Sequence, residues 1–165
     1  SEIETVLRQV QPEVKQLAKK YAGYDHALFI GRDTLFPIAL EGALKLKEVS
    51  YIQAEGYAAG ELKHGPIAVI DDRFFEVAYL QDNWLYEKTQ SNIIEINARS
   101  GHVIVVTDAT RQLDAEEVLR VKTKLKLLTP LVFNVVSQLL AYYVAVERGN
   151  DVDQPRNLAK SVTVE

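Results

Sequence analysis

Hydrophobic positions follow two alternating rhythms along the chain, one helical and one of short unbroken apolar runs. Residues 2–22, EIETVLRQVQPEVKQLAKKYA, place Ile3, Val6, Leu7, Val10, Val14, Leu17 and Ala18 at helical spacing. They predict a leading amphipathic helix, interrupted or kinked near Pro12. The run from Ala27 to Ile30, closed by Gly31, predicts a buried strand. After the loop GRDTLF, Pro37 suits a first helical turn, and the helix it opens is expected to reach about Ala54. Residues 55–66, EGYAAGELKHGP, carry three glycines and a proline and read as a turn-rich loop around one short helical piece.

Further on, FFEVAYL at 74–80 predicts a strand, residues 84–101 a helix ended by Gly101, and HVIVVTD at 102–108 a second clear strand. Residues 109–128 suggest a short helix over 113–118 and an alternating strand over 119–125. Pro130 opens a long final helix, PLVFNVVSQLLAYYVAVERG, stopped by Gly149. Buried strands alternating with helices favour an α/β fold, a parallel sheet with helices on both faces, and such folds bind ligands at the carboxyl ends of their strands. The tail from 150 has little periodicity, but Leu158, Ala159, Val162 and Val164 suggest docking, which would bring Lys160 to a site.

Composition narrows the picture. At 165 residues and 47% hydrophobic, the chain supports one compact domain. A net charge of −4, with both signs spread along the chain, provides no electrostatic footprint for nucleic acid or an anionic membrane. No cysteine is present, so disulfides and thiolate zinc sites are excluded, which fits a reducing compartment. No run is expected to reach the roughly 20 apolar residues of a membrane span, and no signal peptide is visible, so the chain reads as soluble and cytoplasmic. It opens on Ser1 and contains no methionine, the expectation being a processed protein or a piece of a longer one.

The stretch PIALEGALKLKE at 37–48 holds the most suggestive chemistry. Glu41, Lys45 and Glu48 are spaced four and three apart and so share one helix face, while Ile38, Leu40, Ala43, Leu44, Leu46 and Val49 cover most of the rest. Helix-face ion pairs are the plain reading; a cleft wall with a carboxylate poised for acid–base work is the functional one. His64, in KHGP, is either an exposed loop histidine or a proton shuttle near neutral pH. His26 and His102 begin strands and read as edge positions. No His-x-x-His or Glu-x-x-His spacing supports a metal, and GRDTLFP is neither a dinucleotide fingerprint nor a P-loop, so no cofactor is expected.

The blocks PIALEGALKLKEVSYIQAEGYAAGELKHGPIAVI at 37–70 and DVDQPRNLAKSVTVE at 151–165 resemble the second sugar-isomerase (SIS) subdomain and C-terminal tail of the glucosamine-6-phosphate synthases, also called glutamine–fructose-6-phosphate aminotransferases. The resemblance implies a flavodoxin-like three-layer α/β/α fold, with residues 1–150 as one SIS subdomain and 151–165 as an active-site tail. It implies fructose 6-phosphate or glucosamine 6-phosphate as ligand, and a first SIS subdomain, a glutaminase domain and a second copy in a homodimer as partners. By the same resemblance, Glu48 would move a proton between C1 and C2 of the sugar and Lys45 would assist at the neighbouring oxygens. His64 would open the ring from the adjacent subunit. Lys160, with Ala159 beside it, would contact the open-chain sugar or capture it as an imine. The chemistry suits these residue types. The family's S-x-S-G-x-T phosphate loop and the cysteine of its glutaminase domain have no counterpart here, so the chain alone is expected to be incomplete as a catalyst. The alternative is a non-catalytic SIS module that binds sugar phosphates as a regulator.

Overall fold

The computed structural model describes residues 2–158. Five strands, β1 (His26–Gly31), β2 (Gln53–Ala58), β3 (Phe74–Leu80), β4 (His102–Thr107) and β5 (Glu117–Arg120), form one sheet in the order β2-β1-β3-β4-β5. Every pairing is parallel. Four α-helices connect and flank them: α1 (Glu2–Tyr21), α2 (Phe36–Ser50), α3 (Tyr86–Asn97) and α4 (Thr129–Glu147). Two 3-10 segments, Ala59–His64 and Pro66–Val69, carry the chain from β2 towards β3.

Strand alternation sorts the core onto two sheet faces. Ala27, Phe29, Phe75, Val77 and Tyr79 pack beneath α1, α2 and α4, whereas Leu28, Ile30, Ala78, Val103 and Val105 pack beneath α3 and the 3-10 segments. This is the expected three-layer α/β/α arrangement. Gly31 makes the β1–α2 connection possible, because a Cβ there would lie 2.2 Å from the Leu35 carbonyl oxygen.

Several expectations need correction. α1 runs unbroken through Pro12. Val6, Val10, Val14 and Leu17 are all buried, so tertiary packing outweighs the one backbone hydrogen bond proline removes. α2 ends at Ser50 rather than near Ala54, because Tyr51 takes the left-handed conformation. What read as the end of that helix and the start of a loop is β2, an edge strand. Its Gly56 lies where a Cβ would come within 2.8 Å of the Ala39 carbonyl oxygen, so α2 rests on bare backbone. α3 ends at Asn97, and Ser100, not Gly101, takes the positive φ beyond it. No helix forms over 113–118; β5 starts within that stretch instead.

By length and composition, Lys126–Glu147 could cross a membrane, contrary to expectation. Here Val132, Phe133, Val136, Leu140 and Val144 of α4 are buried in the core shared with α1 and α2.

Candidate functional site

Pro37 lies in the first turn of α2 and Tyr51 stops it, and the intervening helix lines up Glu41, Lys45 and Glu48. The Lys45 ammonium donates a 2.6 Å hydrogen bond to Glu48 Oε2 and lies 3.8 Å from Glu41 Oε1. The hydrogen bond to Glu48 raises the Lys45 pKa, with partial burial working against it. Lys45 therefore stays cationic beside the Glu48 carboxylate.

α2 is less enclosed than its sequence suggests. The side chains of Lys45 and Glu48 are 31% and 29% exposed, and Leu40 and Leu44 are 46% and 43% exposed. The reason is position: α2 packs on α4 and on the edge strand, and among the described residues its outer flank stays partly open. Leu40, Ala43, Leu44 and Lys47 line an open groove of about 530 Å³ with residues 54–57 of β2. The stripe lies outside that groove and, among the described residues, forms a half-buried surface.

The tail is bound at the C-terminal end of the same helix. The Asn150 side-chain amide donates to the Val49 carbonyl at 3.0 Å. The Arg156 backbone N–H donates to Tyr51 Oη at 2.8 Å, and its guanidinium lies 4.0 Å from the centre of the Tyr51 ring. Of the apolar residues from which docking was expected, Leu158 is 53% exposed, while Ala159, Val162 and Val164 lie outside the described residues; over 150–156 polar and cation–π contacts hold the chain. Ala159 and Lys160 lie outside the described residues. Tyr51, Asn150 and Arg156 are the site residues that sequence reasoning missed. The sequence carried no local signal for them, because it ran the helix on past Tyr51.

His64 ends the 3-10 segment Ala59–His64, with Nδ1 2.8 Å from Glu61 Oε2 and its side chain 70% exposed. That segment packs by Ala59 and Leu62 into the core opposite the one to which α2 contributes Ala39, Ala43 and Leu46. The sheet therefore separates His64 from Glu48 within one chain. Arg32, at the end of β1, reaches Asn92 of α3 at 2.9 Å and braces the fold. His26 and His102 do begin β1 and β4, as expected.

A model of the SIS domain family matches residues 20–148. The chain is 50% identical over 164 residues to the glutamine–fructose-6-phosphate aminotransferase [isomerizing] of Agrobacterium fabrum, covering 97% of this chain and 27% of that protein. It is also 50% identical over 156 residues to the enzyme of the same name from Idiomarina loihiensis, covering 93% of this chain and 26% of that one. The chain thus spans about a quarter of the length of these curated relatives. Among solved structures, the C-terminal domain of glucosamine-fructose-6-phosphate aminotransferase from Francisella tularensis superposes with a TM-score of 0.85 at 39% identity, over 92% of this chain and 44% of that domain. The tagatose-6-phosphate ketose/aldose isomerase of Escherichia coli shares the fold, with a TM-score of 0.82 at 17% identity over 99% of this chain and 46% of that one. On the match across 20–148, the chain belongs to the SIS domain family.

Proposed function

We propose that this chain is the C-terminal isomerase half of a glutamine–fructose-6-phosphate aminotransferase, a soluble cytoplasmic enzyme that makes glucosamine 6-phosphate from fructose 6-phosphate and glutamine-derived ammonia. The observation that carries this reading is the convergence on one end of α2 of the Lys45–Glu48 pair and the docked tail. Lys160 is the fourth residue after Arg156, a reach of at most about 14 Å from the docked position.

In this reading the Lys160 amine condenses with the C2 carbonyl of the open-chain ketose, releasing water, and ammonia then displaces the lysine amine to leave the C2 imine. Glu48 takes a proton from C1 and returns it to C2, and the C2 imine becomes the amine as C1 becomes the aldehyde. No atom is gained or lost in that shift. Lys45 holds Glu48 by its hydrogen bond and faces the developing oxyanion with a fixed positive charge. The sheet lies between Glu48 and His64, which supports ring opening by His64 from the adjacent subunit of a homodimer. Residues 1–150 act as one SIS subdomain, and 151–165 as its active-site tail.

The upstream half of the isomerase domain provides the phosphate cradle. Leu40 and Leu44 on α2, and Leu131, Tyr142 and Val146 on α4, are exposed apolar side chains suited to its packing. Completeness is the test. The purified 165-residue chain, given fructose 6-phosphate and ammonia, should form no glucosamine 6-phosphate, and the chain joined to its upstream isomerase half should form it. Turnover by the short chain alone would overturn the proposed division of labour.

A further inference from the structure

We infer that Tyr51 is a positioning residue: its ring and hydroxyl latch the chain at Arg156 onto the helix end that carries Glu48. The inference rests on the functional reading above for its consequence, but on separate observations for the latch.

The backbone comes first. Tyr51 closes α2 with φ 63° and ψ 15°, a left-handed conformation that glycine adopts without cost and a bulky residue does not. The helix end alone would be better served by glycine. The side chain explains the exception. Its hydroxyl accepts the Arg156 N–H at 2.8 Å, and its ring face receives the Arg156 guanidinium at 4.0 Å. One tyrosine thus grips both the backbone and the side chain of the same tail residue.

The surrounding tail is arranged to deliver Arg156 to that grip. Asn150 ties the start of the tail to Val49, and Asp151 Oδ1 accepts the backbone N–H groups of Asp153 at 3.0 Å and Gln154 at 3.1 Å. The chain between the two tethers is therefore turned rather than free. Tyr51 is three residues beyond Glu48, so the latch and the proposed base belong to the same helix end.

Two arms test this. Amide hydrogen exchange on the 165-residue chain reads the latch without reference to activity. The Arg156 amide should exchange at least about ten-fold faster in Tyr51→Phe and Tyr51→Gly, with the amides of β1 and β3 unchanged. Unchanged exchange at Arg156 would overturn the latch. Tyr51→Gly should melt at or above the wild-type temperature, since glycine relieves the left-handed backbone; a tyrosine serving only the fold would show a lower melting temperature. In the full-length enzyme, Tyr51→Gly should cut fructose 6-phosphate turnover about ten-fold while glutamine hydrolysis is kept. Glu48→Gln serves as the reference. If Glu48→Gln abolishes turnover and Tyr51→Gly leaves it intact, the positioning role is wrong and the isomerase reading stands. If both leave it intact, the isomerase reading has failed and the positioning role falls with it.

Discussion

The Lys45 ammonium and the Glu48 carboxylate, one helical turn apart on α2, share a 2.6 Å hydrogen bond on a half-buried surface. A helix-surface pair of this kind contributes little to folding, roughly 0.5 kcal/mol or less. Its effect on chemistry is expected to be far larger. Lys45→Met should therefore change stability by less than about 1 kcal/mol in urea unfolding, yet lower isomerase turnover by about 100-fold or more in the full-length enzyme. Equal turnover in the variant would reduce Lys45 to a surface ion pair.

His64 and Glu48 lie on opposite sides of the sheet, so a site needing both must draw them from different copies. Mixing Glu48→Gln and His64→Ala subunits tests this directly. A random mixture contains about half heterodimers, each with one intact trans site, so activity should recover to about a quarter of wild type. If each site takes both residues from one chain, the mixture stays inactive.

Glu76 offers a pH prediction. Its side chain is fully buried on β3, and among the described residues its carboxyl oxygens receive no well-formed hydrogen bond, only the weaker approach of the His102 backbone N–H. Burial pushes its pKa up to about 8, the backbone N–H of His102 offsetting only part of that. Below about pH 4.5 the folded and unfolded chains both hold this proton. Between about 4.5 and 8 only the folded chain keeps it, so stability falls as pH rises, by up to about 1.4 kcal/mol per unit, and the loss is complete above 8. Glu76→Gln should remove this slope. Its advantage over wild type in urea unfolding should grow from pH 5 to pH 8, reaching a few kcal/mol; parallel profiles would show that the carboxyl is not buried as described.

Gly56 should tolerate no side chain. Gly56→Ala would drive a Cβ against the Ala39 carbonyl and the Leu40 Cα, both 2.8 Å away on α2. A loss of about 2 kcal/mol in unfolding free energy is expected, from overpacking between a helix and the strand beneath it. A neutral substitution would mean that α2 does not seat on β2.

How much of this was legible before the structure depends on how far each segment carries its own signal. β1 and β4 are buried on both faces and read as apolar runs, and β3 does so apart from the buried Glu76. α4 announces itself by Pro130 and Gly149. β2 was missed because it is an edge strand whose sequence, QAEGYA, is chosen for close approach at Gly56 rather than for alternation. The spacing of Glu41, Lys45 and Glu48 was enough to place them on one face, because helical geometry alone decides it. Their exposure was not legible, since it depends on α2 lying at the sheet edge. Nor was the Tyr51–Arg156 contact, which joins residues 105 apart in sequence and has no local signature.

The central claim is that Glu48 moves the proton between C1 and C2. The most direct measurement is turnover of fructose 6-phosphate by the full-length enzyme carrying Glu48→Gln, with glutamine hydrolysis followed in the same samples. The account predicts that sugar isomerisation falls by at least about 1,000-fold while glutamine hydrolysis persists. Wild-type isomerisation by Glu48→Gln would contradict it and would favour an SIS module that binds sugar phosphates without acting on them.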